Sequence, residues 1–527
     1  MKKNIIYLLI DSMCEEDLIF IKKNIKKFPG FKYFLSNNSI EFQNTYSVSI
    51  PTEPTVPTIF TGELPLNKKT YEFGIKYFRK DFFLALKKNR YDFLILSNAA
   101  IISEMMGYTK NLVKIKLLSS VEHTWMYFRR VYCWNYLNGP NHFKNRVKIF
   151  KNKFKQFLEH FELHLGKDQS WFSKKIGDLD NKKIVRIKQK ILSFKKEIRK
   201  INEGTIERHL KRVIDKDFFE FFGEATWKHK FINIFIKIFK SKNLRWKHAR
   251  INLISHQIRL KNITTDIDRV LEETLDYIKK RKKNFFIFSH ILDLHHDNFS
   301  ENNFLLKMPK KNRFKHKHLY GDEREHTLSF IDKHIKIFIE KIPQEVLKKS
   351  CVCISSDHGT ASDENNEGPL NTKLVSGLFA ERFLKIPLLI YLPGNKKKMK
   401  NNKSLTNSSN IIPILMKLSN LRINNYIKKL SDVNKQKYIY AEHTHRGPAY
   451  GNLINGQVYN CVITKDFKII KKSKISSFDN NNEKEIFIRN KNDNINSFNE
   501  KKFNKKKFLP YINKVLLRQK TILKKFK

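Results

Sequence analysis

Cysteine is scarce in this chain, and acid is outnumbered by base. Five cysteines among 527 residues (Cys14, Cys133, Cys351, Cys353 and Cys461) cannot supply a disulfide framework. Only Cys351 and Cys353 lie close together, in an apolar strand-like run where structural roles suit both. No zinc-finger spacing or RNP segment occurs, so no specific nucleic-acid partner is expected. A reducing compartment fits. No run of about 18 apolar residues exists, so no transmembrane helix is predicted. The apolar stretch near the start reaches only from Ile5 to Ile10 before Asp11, and Glu15, Glu16 and Asp17 follow. That is too short and too soon acidic for an export signal. The expectation is a cytoplasmic protein, with peripheral attachment to an anionic membrane as a variant.

What is present is base and apolar bulk. Lys plus Arg number 104 against 51 Asp plus Glu, a formal net charge of +53. Such a field favours polyanions: nucleic acid, anionic lipid, or phosphorylated and sulfated substrates. The crowding with Lys, Asn, Ile and Phe is also what AT-rich coding DNA produces, so charge alone does not choose a partner. Hydrophobic residues make up 40% and aromatics 13%, enough for a sizeable core.

Short apolar runs separated by helical stretches predict an α/β fold with a mostly parallel sheet. The runs are Ile5–Ile10, Glu41–Val48, Tyr91–Leu96, Phe285–Phe288, Cys351–Ile354, Ile386–Tyr391 and Tyr438–Ala441. Ligands in such sheets bind beyond the carboxyl ends of the strands. Asp11, His290, Asp357 and His443 are placed at or just after such ends. From about 110 to 280 the pattern changes to helical, aromatic and basic, with 30 Lys plus Arg against 12 acids between 141 and 250. The segment Phe231–Lys240 is the piece that could rest on a membrane, although a helix packed on the core explains it as well. The stretch 480–499 is polar and reads as a loop or linker. The last 27 residues carry 11 basic side chains and no acid, as a terminal helix or basic tail would.

Two segments carry chemistry. Asp357-His358-Gly359 follows a buried strand and can turn a carboxylate and an imidazole to one zinc- or manganese-like ion. The glycine permits a tight turn beside the ligand. Thr52 heads a Pro-rich turn into a helix, where the free backbone amides and the dipole favour an anion.

Their order resembles the alkaline phosphatase/sulfatase superfamily. In that family a strand-end acid precedes a C/S/T-x-P-S/T segment that ends in Thr-Gly nine residues on. Here Thr52-x-Pro54-Thr55 runs to Thr61-Gly62, with Pro65 after it, and Leu84, Ala85, Lys87 and Tyr91 look like the following helix and turn. Asp357-His358-Gly359 then precedes Lys373, Leu378-Phe379-x-Glu381 and Ile386-Pro387-Leu388-Leu389-Ile390-Tyr391-x-Pro393-Gly394, similar to the family's V-P-L-I-I-x-x-P-G stretch. The resemblance covers roughly 4–100 and 284–445.

It implies a three-layer alkaline-phosphatase-like fold with a large helical insertion. The catalytic α/β domain would occupy 1–110 and 281–450, a basic helical insertion or cap 111–280, and C-terminal strands, linker and basic tail 451–527. It implies Asp11, Thr52, Asp357 and His358 as metal ligands, with zinc favoured over manganese or calcium. Thr52 would be the nucleophile, and His295 and His445 would help the leaving group. Lys373, His443, Arg446 and His290 would contact the substrate anion. The sequence departs from true sulfatases. Thr52 cannot mature to formylglycine, Val56 stands where they have an arginine, and Asp11 is followed by Ser12 rather than a second acid. The expectation is therefore a metal-dependent hydrolase or transferase of phosphate esters, with sulfate second, acting on a glycan or cell-surface precursor. The competing expectation is a polyanion- or membrane-surface-binding protein on a degenerate fold.

Overall fold

The computed structural model describes residues 2–36, 38–50, 52–67, 75, 78–97, 102, 107–108, 113–117, 128, 146–167, 181–215, 267–294, 322–359, 379–393, 400–445, 457–474, 486–490 and 505–526. Two compact units emerge, one formed by 1–118, 266–448 and 453–527, the other by 119–265 and 449–452.

The larger unit is built on an eight-stranded sheet of order β4-β3-β5-β1-β6-β7-β2-β8. β1 (Asn4–Ile10) lies at its centre, between β5 (Phe285–Ile291) and β6 (Ser350–Ser355), parallel to both. β3 (Asp92–Ser97) pairs with β5 and with β4 (Lys114–Leu117), again in parallel. β7 (Leu388–Tyr391) is antiparallel to β6 and to β2 (Ser39–Tyr46), whose other neighbour is the parallel edge strand β8 (Lys400–Asn407). A strand covered on both faces must be apolar throughout, and β1 reads Ile-Ile-Tyr-Leu-Leu-Ile.

Alternation sends Ile6, Leu8 and Ile10 to one face, where they pack with Phe31, Phe34, Leu271, Ile331 and Ile335 from the covering helices. Those helices are α1 (Glu15–Lys23), α2 (Pro29–Phe34), Ile267–Lys279 and Asp322–Lys341. On the opposite face Phe60 of helix α3 (Thr52–Thr61) meets the Phe288 ring at 4.7 Å, and Phe83 of helix α4 (Asp81–Lys88) stacks on Phe60 at 6.0 Å. Helix, sheet and helix give three layers, as expected.

A second, antiparallel sheet has the order β12-β11-β10-β9. Its strands are β9 (Ile439–His445), β10 (Gln457–Ile463), β11 (Phe467–Lys474) and β12 (Ile486–Asn490). One face packs Ala441, Cys461 and Ile470 on Tyr46, Phe379 and Leu384. The other is covered by the helix Lys505–Phe526 through Ile512 and Val515. β12 lies within the polar stretch expected to be a loop; five residues suffice there because β11 provides the pairing edge.

In the smaller unit the helices Arg146–Lys167 and Asn181–Lys200 bury Phe150, Phe154, Phe157, Ile191 and Phe194. Phe128 stacks on Phe154 and Phe157 at 5.3 and 5.8 Å. Phe231–Lys240 lies outside the described residues. Among the described residues no helix is long and apolar enough to cross a membrane.

Candidate metal and nucleophile site

The sheet register gathers the site. Leu9 pairs with Ser355 on one side and with His290 on the other, so Asp11 and Asp357 leave adjacent parallel strands at the same level. Asp11, Asp357 and His358 are all buried, and each offers an atom within 4.8 Å of the others. Thr52 joins them as the first residue of α3. Its Oγ1 donates to Asp11 Oδ2 at 3.1 Å and lies 3.1 Å from His358 Nε2.

The sequence of α3 explains why it begins there. Pro54 sits in the first turn, where the missing amide hydrogen has no intrahelical partner to lose. Gly62, at φ +72°, ends the helix in the left-handed region. Thr58 and Thr61 bond back to the carbonyls of Pro54 and Pro57. Val56, at the position of the sulfatase arginine, is fully buried.

Backbone groups hold Asp357 and His358. The His358 amide donates to Asp357 Oδ1 at 2.9 Å. His358 Nδ1 is 2.6 Å from the Gly359 carbonyl, which accepts its hydrogen. When the ring is neutral, this bond leaves an unprotonated Nε2 facing inward. Gly359 is required by a close approach rather than by a left-handed turn, since a Cβ there would lie 1.9 Å from the Arg382 carbonyl oxygen. Ser12 adopts φ 63°, a conformation that favours glycine. Its carbonyl accepts from Arg324 Nη2 at 3.0 Å, and the same guanidinium grips Asp17 through two bonds of 2.6 and 2.5 Å. The Ser12 hydroxyl in turn donates to Asp11 Oδ1 at 2.8 Å.

The donor set fits a divalent cation. Two carboxylates, a hydroxyl oxygen and an imidazole nitrogen converge, donors that suit a divalent cation. Asp357 Oδ2 is buried without a hydrogen-bond partner and stands 3.5 Å from the inward His358 Nε2. An orphaned carboxylate oxygen facing an imidazole lone pair lacks only a positive charge. The alternative way to supply that charge is a proton on His358. Burial lowers the pKa of this histidine, but Asp357 and Asp11 outweigh burial and leave it above the usual value.

The other expected residues fall in three groups. His290 was placed at a strand end; it lies inside β5, because the strand continues to Ile291. It is fully buried, with Nε2 3.2 Å from Asp11 Oδ2 and Nδ1 3.3 Å from Ser97 Oγ. His443 lies inside β9, which belongs to the antiparallel sheet and not to the central one. Its Nδ1 bonds the Ile50 carbonyl at 2.6 Å. His295, Lys373 and Arg446, and the side chain of His445, lie outside the described residues. Sequence reasoning missed Arg324, whose signal, a lone arginine opening a helix, is not distinctive.

Residues 216–421 match the family model Sulfatase. The fold resembles a putative sulfatase from Bacteroides thetaiotaomicron at 10% identity and TM-score 0.52, covering 100% of this chain and 93% of the other. Ps i-CgsB, solved also with k-i-k-neocarrahexaose, gives 12% and 0.51 over 100% and 94%. The sulfatase likeness thus covers residues 216–421 in sequence and the whole chain in fold. A 2-O GAG sulfatase shares the fold at 10% identity and TM-score 0.50, over 99% and 93%. No curated protein matches the chain.

Proposed function

We propose that this sulfatase-family hydrolase or transferase acts on phosphate esters, with sulfate esters second, through Thr52 as nucleophile beside a divalent cation. The observation that carries the reading is the convergence of Thr52 Oγ1, Asp11, His358 Nε2 and the unpartnered Asp357 Oδ2 at the head of α3. Asp11, Thr52, Asp357 and His358 would hold the ion, with zinc first and manganese or calcium as alternatives. A bound divalent cation supplies Lewis-acid stabilisation and makes a hydroxyl a usable nucleophile near neutral pH.

The chain's own residues do the rest. His290, buttressed by Ser97, orients Asp11. Thr52 Oγ1 releases its proton toward Asp11 Oδ2 and forms the bond to phosphorus in line. The ester oxygen departs with the bond electrons and takes a proton from His295 or His445. Water, or a hydroxyl of an acceptor such as a glycan, then attacks the phosphothreonine and frees Thr52. Lys373, Arg446 and the amides opening α3 are suited to hold the non-reacting oxygens. Phosphate is preferred over sulfate because threonine cannot become formylglycine and because Val56, not arginine, stands four residues on.

The test is metal content together with turnover of aryl phosphomonoester, phosphodiester and sulfate ester for wild type and Thr52→Ala. Bound zinc or manganese, with turnover lost in the variant, is the expected result. Metal-free protein, or turnover indifferent to Thr52, sinks the reading and favours a polyanion-binding protein.

A further inference from the structure

The helix Lys505–Phe526 reaches the segment that follows α3 through a buried ion pair. The side chains of Arg518 and Glu442 are 10% and 0% exposed, and Arg518 Nε donates to Glu442 Oε1. Glu442 Oε2 accepts the Leu66 amide at 2.9 Å, just beyond α3. The Glu442 amide donates to the Val48 carbonyl at 2.7 Å, just before it. His443, the next residue, holds the Ile50 carbonyl. Two consecutive residues of β9 thus fasten the chain on both sides of the helix that begins with Thr52. Arg518 Nη2 is buried without a hydrogen-bond partner, so the contact with Glu442 is what offsets the desolvation of this guanidinium. A buried carboxylate robbed of its cation swings toward water. That movement weakens the charge-assisted bond to Leu66.

We propose that Arg518 is a positioning residue that sets the place of Thr52 by holding the Glu442 carboxylate on the Leu66 amide. The proposal rests on the reading of Thr52 as nucleophile. In the described contacts neither Arg518 nor Glu442 touches Asp11, Asp357 or His358, so metal loading should survive their alteration.

The experiment uses the full-length, zinc-loaded protein as wild type, Arg518→Gln and Arg518→Lys. Steady-state turnover of an aryl ester is measured beside amide hydrogen exchange, resolved to peptides. For Arg518→Gln the expected result is a kcat lower by about tenfold to a hundredfold, as displacement of a reacting group by a fraction of an ångström to an ångström brings. KM and zinc content should change little. Exchange should quicken around 47–52 and 62–67 but not in β1, β5 or β6. Arg518→Lys, which keeps the cation, should stay within about threefold of wild type. Unchanged kcat with unchanged local exchange overturns the proposal. So does exchange that quickens equally across the central strands, which makes the pair a general stability element. If wild type turns over none of the esters, the nucleophile reading fails, and local exchange alone decides the clamp. If Arg518→Gln does not fold, Glu442→Gln, which removes the charge but keeps an oxygen for the Leu66 amide, decides. Faster exchange confined to the α3 flanks, with a fall in kcat, supports the proposal; full kcat, with or without that loosening, overturns it.

Discussion

Replacing Asp357 by asparagine should stabilise the metal-free protein while abolishing its response to metal. Asp11 and Asp357 are 1% and 0% exposed, and atoms of the two carboxylates lie within 4.8 Å. Two unit charges at that separation repel by about 3.5 kcal/mol at an effective dielectric constant of ~20. A protonated His358 cancels much of this, so the effect is largest above the pH at which His358 loses its proton. The amide of the variant retains the oxygen that accepts from the His358 backbone and places donor hydrogens where Oδ2 now has no partner. Removing the repulsion should raise the midpoint of thermal unfolding by roughly 3–6 °C for a unit of this size. Wild type should instead gain about 2.7 kcal/mol from zinc at a hundredfold excess over its dissociation constant. The variant should gain little and lose turnover. Thermal unfolding with and without zinc, at alkaline pH, measures both. A metal-free variant less stable than wild type, or one that zinc stabilises equally, refutes the placement of Asp357 at a cation site.

Two further outcomes follow from the same geometry. Because the folded pKa of His358 lies above its ordinary value, the stabilisation of the metal-free protein by this proton is complete below the unfolded pKa. It is lost as pH rises through the raised folded value. Metal must displace that proton, so zinc affinity should rise about tenfold per pH unit until the folded pKa is passed and then level off; competition with a chromophoric chelator checks this, and a flat profile denies the linkage. Gly359→Ala should cost about 1–3 kcal/mol of stability, since the new methyl would lie 1.9 Å from the Arg382 oxygen and 3.0 Å from Cys14 Cβ; equal unfolding midpoints for variant and wild type would count against it.

The central sheet was legible because a strand covered on both faces must be a continuous apolar run. β1, β3, β5 and β6 are such runs. β8, Lys-Asn-Asn-Lys-Ser-Leu-Thr-Asn, was not legible: an edge strand pairs through its backbone and needs no apolar face. The site was legible where chemistry sits at strand ends in adjacent strands, as at Asp11 and Asp357. His290 and His443 were misplaced because each strand runs on beyond its last obviously apolar residue. Sequence spacing does not show that Glu442 and Arg518, 76 residues apart, would meet in the interior. Nor does it show that Arg324 would support the backbone of Ser12, because such contacts depend on packing between elements distant in the chain.

The central position of β1 has a consequence for biosynthesis. Its first partner begins at Phe285 and its second at Ser350. At roughly 5–20 residues per second, this run of six apolar residues leaves the ribosome and waits on the order of 15–55 s with both edges unpaired. During that interval it is an adhesive segment without a sheet to join. Newly made chains should therefore depend on a holding chaperone, and truncations ending before β6 should aggregate rather than remain as partly folded domains.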